Sequence, residues 1–171
     1  MKDITIGLFG TCGSSKWREP FMKRYDELGI SYFNPQKNDW KAEDAKIEAE
    51  HLANDQIILF PVTNETYAFG SLGEVGFSIM QALKLDQNRD IIIMIEPDVY
   101  LDVDSMPSEL RATAEAQRKE SVRMRALIMA HLKKVNYQCV WLVKDLDNML
   151  NLSLELHAIQ TLKNGAKRFI I

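Results

Sequence analysis

Residues 56–62, Gln-Ile-Ile-Leu-Phe-Pro-Val, form a strongly apolar run near the middle of the chain. A segment with helical apolar spacing follows from about Gly73 to Leu85, and a second apolar run, Asp-Ile-Ile-Ile-Met-Ile, occupies residues 90–95. Two short apolar runs separated by an amphipathic helix predict parallel strands that are buried on both faces. This strand–helix–strand unit indicates the fold class.

The same alternation continues on both sides of this unit. Apolar runs predict further strands at 4–9, 30–33 and 138–143, and amphipathic segments predict helices at 16–28, 40–53, 107–134 and 145–162. Ser14 and Ser15 are candidate caps of the first helix, and Gly29 is expected to end it. The alternation predicts an α/β fold, specifically a flavodoxin-like, doubly wound, five-stranded parallel sheet with helices on both faces. With no linker or low-complexity tract, residues 1–171 are expected to form a single domain.

The charge distribution argues against nucleic acid as a partner. Charged residues make up 26% of the chain and the formal net charge is −3, whereas nucleic-acid binding needs a concentrated basic surface. One basic cluster exists, at Arg118, Lys119, Arg123 and Arg125. Acidic residues are interleaved with it at helical spacing, which predicts a solvated helix face.

Membrane and metal partners are not expected either. No apolar run reaches the roughly 18 residues of a membrane span, and the N-terminus has no apolar signal segment. The two cysteines, Cys12 and Cys139, lack metal-ligand spacing, so no metal or other cofactor is predicted. Two distant cysteines also favour a reduced, cytoplasmic setting.

A single carboxylate lies among glycines soon after the central strand. Residues 69–78 read Phe-Gly-Ser-Leu-Gly-Glu-Val-Gly-Phe-Ser, and the spacing predicts that Glu74 lies at or within the first turn of a helix. Ligands of open α/β sheets bind at the carboxyl ends of the strands, so Glu74 is a candidate nucleophile or base. The helix dipole also favours a carboxylate there for structural reasons, and the residues alone leave both interpretations open.

The loops after the first four strands are expected to build the site. The first loop contains Gly10, Thr11, Cys12, Ser15, Trp17 and Arg18. Free N–H groups at a helix start, an aromatic ring and a guanidinium suit a heterocyclic or phosphorylated ligand, although a tight turn is an equally good interpretation. Cys12 has no histidine near it in sequence, which favours packing over a nucleophilic role.

The second loop and the helix after it supply further candidates. Asn34 and Pro35 form a turn signal, and Trp40 either walls a base-sized pocket or packs on the core. The helix runs antiparallel to the strands, which brings Glu48 closer than Asp55 to the carboxyl edge of the sheet. Glu48 is therefore the better site candidate, and Asp55 is predicted to be a turn residue at the opposite edge.

Taken together, these motifs resemble those of the nucleoside 2-deoxyribosyltransferase-like family. The resemblance covers roughly residues 1–95 and rests on Gly10-Thr11-Cys12 with Ser15, Trp17 and Arg18, on Asn34, Pro35 and Trp40, and on Ser71-Leu72-Gly73-Glu74. It implies a flavodoxin-like fold and an N-glycosidic bond as the target. It also implies that Glu74 attacks the sugar C1′, as the nucleophile of a retaining glycosidase does.

The resemblance implies deoxyribosyl transfer between nucleobases through a covalent intermediate on Glu74, with no metal or cofactor. Glu48 is then a candidate proton donor or orienting group, and Trp17 and Trp40 are candidate base contacts. The implied partners are a nucleoside or nucleotide, a free base, and further copies of the chain in a homo-oligomer. For the interface, the sequence offers the apolar residues 126–130, which core packing explains equally well.

One departure from the family pattern affects how the sugar is recognised. Better-known transferases of the superfamily carry an Asp six residues before the nucleophile, where this chain has Ala68. Ser71 is then the nearest candidate for contact with a sugar hydroxyl. Two alternatives stay open: a nucleoside or nucleotide N-glycosidase that passes the sugar to water, and a non-catalytic module that binds a nucleotide-derived ligand.

Overall fold

The computed structural model describes residues 4–85, 89–102, 104–134 and 137–166. The strands are β1 (Thr5–Leu8), β2 (Ser31–Phe33), β3 (Ile57–Val62), β4 (Asp90–Ile95) and β5 (Val140–Leu142). The helices are α1 (Arg18–Leu28), α2 (Asp44–Asn54), α3 (Phe69–Leu85), α4 (Ser108–Leu132) and α5 (Leu146–Ala166). The strands form one parallel sheet in the order β2-β1-β3-β4-β5, which confirms the predicted flavodoxin-like α/β fold.

Alternate residues of the central strands point to opposite faces of the sheet and build two apolar layers. One layer packs Ile57 and Leu59 of β3 against Phe21 and Tyr25 of α1 and Met149 and Leu156 of α5. The other packs Ile58, Phe60 and Val62 of β3 against Leu52 of α2, Leu72 and Val75 of α3 and Leu132 of α4. Continuous apolar runs are needed because both faces are covered. None of the described helices combines the length and apolar composition needed to cross a membrane.

The two ends of α1 differ in how well they follow the prediction. Gly29 ends the helix as predicted, with a left-handed φ of 65° and its N–H donated to carbonyl oxygens of the last turn. The prediction of Ser14 and Ser15 as caps is wrong, because the N-cap position is Trp17 and no side chain caps it. Ser15 is buried instead, and its hydroxyl lies 3.5 Å from that of Thr63.

The start of α2 also differs from the prediction. The helix begins at Asp44 and not at Trp40, so Trp40 belongs to the loop. The Asp44 carboxylate accepts hydrogen bonds from Lys37 Nζ at 2.6 Å and from the Lys41 backbone N–H at 3.0 Å. These bonds hold the residues before Asp44 in turns and keep them out of the helix.

The start of α3 changes the position of Glu74. Ala68 has a φ of 53° and turns the chain, and its carbonyl oxygen accepts the first helical hydrogen bond from Leu72. The helix therefore begins at Phe69, four residues earlier than predicted. Glu74 lies in the second turn and not in the first, so its position is not explained by capping of the helix start.

The predicted solvated basic face of α4 is wrong for Arg125. Its side chain is 1% exposed and reaches back under the loops that follow β3 and β4. The guanidinium donates to the carbonyl oxygens of Val62, Thr63, Thr66 and Glu96. Backbone carbonyls need new partners where strands end, and a buried guanidinium provides five N–H donors.

Gly10 makes the closest backbone approach between the first loop and the sheet. Its φ is 97°, and a Cβ at this position would collide with the carbonyl oxygen of Pro61 in β3. β1 has already ended at Leu8, so this loop takes the place of β1 beside Pro61, whose neighbour on the other side is Met94 of β4. The Thr11 N–H donates to the Pro61 oxygen at 2.9 Å and closes the gap.

Gly10→Ala is expected to lower the free energy of unfolding by about 2–4 kcal/mol, because alanine resists positive φ and its Cβ would collide with Pro61. Gly165→Ala is the matched control, since Gly165 lies near the end of α5 with open space around its Cβ. The control is expected to keep wild-type stability or to gain up to about 1 kcal/mol. Urea unfolding followed by circular dichroism measures both changes, and wild-type stability in Gly10→Ala would contradict the close approach.

Candidate functional site

A cavity of about 690 Å³ opens at the carboxyl edge of the sheet, within the size range of small-molecule sites. It lies between the loops after β1, β2 and β3 and the first two turns of α2 and α3. The described lining residues are Gly10, Cys12, Gly13, Pro35, Gln36, Lys37, Asn38, Trp40, Glu48, Thr66, Ala68, Gly70, Ser71 and Glu74. The loop after β4 contributes none of them, so three of the four expected loops build the described wall.

The structure brings only part of the predicted site together. The predicted residues that line the cavity are Gly10, Cys12, Pro35, Trp40, Glu48, Ser71 and Glu74. Those that do not line it are Thr11, Ser15, Trp17, Arg18 and Asn34. The five residues that do not line the cavity lie in or beside its loops and stabilise them.

The two carboxylates of the cavity come from neighbouring helices. Glu48 lies in the second turn of α2 and accepts a hydrogen bond from the indole Nε1–H of Trp40. Trp40 is 54% exposed, so a large part of its ring remains free for a ligand. Partial burial, and secondarily the negative charge of Glu48, raise the pKa of Glu74 above its ordinary value. The two carboxylates are thus electrostatically coupled within one cavity.

Arg18 lies beneath the first loop and does not line the cavity. Its side chain is 1% exposed, and it donates to the carbonyl oxygens of Leu8 at 2.9 Å, Thr11 at 2.6 Å and Gly10 at 3.4 Å. Its guanidinium carbon also lies 4.5 Å from the ring centroid of Trp17, which is itself buried. Arg18 and Trp17 therefore shape the loop and do not line the cavity, and the ligand contacts predicted for them stay predictions.

Thr11 and Asn34 have comparable supporting positions. The fully buried Thr11 hydroxyl accepts the Thr63 N–H at 2.9 Å and joins the loops after β1 and β3. Asn34 Oδ1 accepts the Gln36 N–H at 3.0 Å and fixes the turn after β2. Both residues stabilise the loops that form the cavity wall without lining the cavity themselves.

Gln36 is a site residue that sequence reasoning missed. Its Nε2 donates to the Gly13 carbonyl oxygen at 2.8 Å, and its Oε1 accepts a hydrogen bond from Arg18 Nη1 at 3.2 Å. It thereby connects the first and second loops across the cavity mouth. Gln36 directly follows the turn predicted at Asn34 and Pro35, and this position could have identified it as a residue of the site. Other lining residues not predicted are Gly13, Lys37, Asn38, Thr66, Ala68 and Gly70.

Asp55 has the surroundings that its sequence context suggested, whereas Cys12 is exposed and is not packed as predicted. Cys12 is exposed at the cavity wall, with its Sγ 3.4 Å from Arg18 Nη2 and no histidine among its hydrogen-bond partners. Asp55 follows the last turn of α2, outside the cavity, and its carboxylate lies 3.0 Å from His51 Nδ1.

The chemistry available to this site is that of two carboxylates beside an aromatic ring. Among the residues that the structure describes, no group of three or more His, Cys, Asp and Glu side chains could hold a metal ion. Paired carboxylates can act as nucleophile, acid or base on an organic ligand. Comparison with protein-family models and with curated proteins finds no match to this chain.

The pKa of the Glu74 carboxyl group is expected to lie above its ordinary value, and Glu48→Gln is expected to lower it by removing a like charge. Carbon-13 NMR of glutamate-labelled protein measures the titration. Glu50→Gln, which changes an exposed carboxylate of the same helix outside the cavity, is the control and should leave the pKa of Glu74 unchanged. An unchanged titration in Glu48→Gln would refute the coupling.

Proposed function

We propose that this protein transfers a deoxyribosyl group between nucleobases, with Glu74 as the nucleophile. The observation that carries the proposal is the meeting of Glu74, Glu48 and the exposed ring of Trp40 in one cavity. The resemblance of the loop motifs to nucleoside 2-deoxyribosyltransferases supports the same assignment. The cavity is large enough for a nucleoside, and its aromatic wall suits stacking with a base.

The mechanism follows from the roles that these groups can fill. Glu74 attacks C1′ as the C1′–N bond breaks, the bonding electrons leave with the base, and a covalent glycosyl ester forms. A ring nitrogen of a second base then attacks C1′ and releases Glu74. Glu48 orients the base or exchanges a proton with it, and the Ser71 hydroxyl is our candidate contact for the sugar. No step in this sequence requires a metal ion or a redox cofactor.

Hydrolysis is the second candidate function. The cavity is open, since Cys12, Gly13, Lys37, Asn38 and Trp40 are all exposed at its wall. Water therefore has access to the glycosyl intermediate and could replace the second base as the acceptor. The third candidate, a nucleotide-derived ligand sensor, retains the cavity but performs no chemistry.

One experiment separates the three functions. The protein is incubated with a deoxyribonucleoside and a different free base, and the products are resolved by chromatography. A new nucleoside supports transfer, whereas free deoxyribose or its 5-phosphate supports hydrolysis. No product from any common purine or pyrimidine donor, together with a ligand-induced rise in Tm, would support the sensor and contradict both enzymatic functions.

Glu74→Gln is expected to lower turnover by about a thousandfold or more, because the amide cannot form the glycosyl ester. The same variant is expected to unfold at a higher temperature than wild type at pH 7. The raised pKa of Glu74 means that its ionised form destabilises the fold above that pKa, and this penalty disappears towards pH 4. Glu50→Gln should leave turnover unchanged. Retained turnover in a folded Glu74→Gln protein would exclude Glu74 as the nucleophile.

We also propose that copies of the chain associate through the outer face of α3. Phe69, Phe77 and Met80 are 40%, 62% and 58% exposed there, and Gly73 and Gly76 leave open space between them. Between residues 69 and 80 the only ionisable side chain is Glu74, which faces the cavity. An apolar, uncharged helix face on which glycines leave room for a partner's side chains resembles an interface more than a solvated surface.

The face at residues 126–130, considered from sequence, is less suitable. Ile128 and Met129 pack on the second apolar layer, and Leu127 is the large side chain of this segment that remains substantially exposed, at 49%. We propose a cytoplasmic setting as well, in keeping with the free thiols of Cys12 and Cys139.

Phe77→Asp is expected to shift the protein to a smaller assembly, because a charge in the apolar interface would be desolvated. Sedimentation velocity measures the change, and Leu127→Asp is the matched control that should sediment like wild type. A monomeric wild-type protein at micromolar concentration would contradict the proposed association.

A further inference from the structure

The net charge of the cavity depends on whether its cationic side chains are already neutralised by other residues. Glu48 and Glu74 both line it, and Lys37 is the sole cationic side chain among the described lining residues. Lys37 Nζ lies 2.6 Å from Asp44 Oδ1, so its charge is balanced by a carboxylate. Arg18 lies below the loop, where its N–H groups are bound by carbonyl oxygens, by Gln36 and by a thiol. The Arg18 charge offsets part of that of Glu48, and the two lining carboxylates against this one buried cation leave the described part of the cavity with a net negative charge.

The surroundings of Glu74 agree with this conclusion. Burial and the charge of Glu48 both act against a negative charge at Glu74. The positive end of α3 offsets part of this effect, but a helix start carries only about half an elementary charge. An anionic group would meet two carboxylates here, whereas a cationic group would be attracted by both.

The aromatic wall completes a site for a cation. Trp40 presents a ring that is 54% exposed, and indole is the side chain that attracts cations most strongly through its face. Its Nε1–H donates to Glu48 Oε1, which places a carboxylate directly beside the ring. Neutral bases generally leave with the help of a proton, whereas a base that already carries positive charge needs none.

We infer that the cavity selects a nucleoside whose base carries a positive charge, such as an N-glycosylated pyridinium or an N7-alkylated purine. The inference rests on the proposed function, since it names the substrate class of the same site. When the C1′–N bond breaks, its electron pair goes to the positively charged ring and the base leaves as a neutral molecule. Glu74 forms the new C1′–O bond, and no proton has to be supplied.

The test uses two base-sized probes that differ in charge and hardly in shape. 1-Methylnicotinamide is a pyridinium cation, and 3-methylbenzamide is its neutral isostere with carbon in place of the charged nitrogen. Wild-type protein is expected to bind the cation about tenfold more tightly in calorimetric titrations at low salt, and added salt should reduce the difference. Glu48→Gln should lose most of this preference, while Glu50→Gln should keep it.

The result separates this inference from the proposed function. Equal binding of the two probes, or no binding of the cation at millimolar concentration, would overturn the charge preference even if neutral deoxynucleosides were turned over. A preference for the cation that depends on Glu48 would support it even if the protein cleaved no deoxynucleoside. Where turnover exists, the nicotinamide deoxyriboside is expected to be cleaved more efficiently than the corresponding nicotinic acid deoxyriboside, which carries one more negative charge.

Discussion

Two buried arginines hold the carboxyl edge of the sheet in shape. Strands that end leave carbonyl oxygens without ladder partners, and a guanidinium is stable in a buried place only when its N–H groups are bound. Arg18 binds carbonyls of the loop after β1, and Arg125 binds those of the loops after β3 and β4. Each arginine satisfies several loop carbonyls at once. These hydrogen bonds fix the positions of Gly10, Thr66 and their neighbours along the cavity wall.

The cavity is therefore supported from below by cations that it does not display. Arg18 interacts with the loop backbone, with Gln36 and with the ring of Trp17. The described charged residues that line the cavity are Glu48, Glu74 and Lys37, and Asp44 balances the charge of Lys37. Because Arg18 binds the loop and not the cavity, its sequence motif suggests anion recognition although the wall of the folded cavity is acidic. A charged residue in the sequence of a ligand-binding loop can stabilise the loop backbone without contacting the ligand.

The fold was predictable because apolar periodicity is a local property. The runs at 56–62 and 90–95 are buried on both faces, so their composition alone identifies parallel strands. The start of α3 was not predictable in the same way. Glycines at 70 and 73 normally mark a loop, yet here they are helical because Ala68 makes the turn before them. The burial of Arg125 was hidden for a related reason, since its carbonyl partners lie about 30 to 60 residues away in sequence.

The glycines of α3 have a consequence for motion. Each glycine inside a helix weakens it by about 1 kcal/mol relative to alanine, and Gly70, Gly73 and Gly76 flank the turn that carries Glu74. This helix consequently depends on Leu72 and Val75 in the second apolar layer for much of its order. A partner that covers its outer face would stabilise the turn that positions the carboxylate. Such an association would thus be thermodynamically linked to the order of the site through one helix.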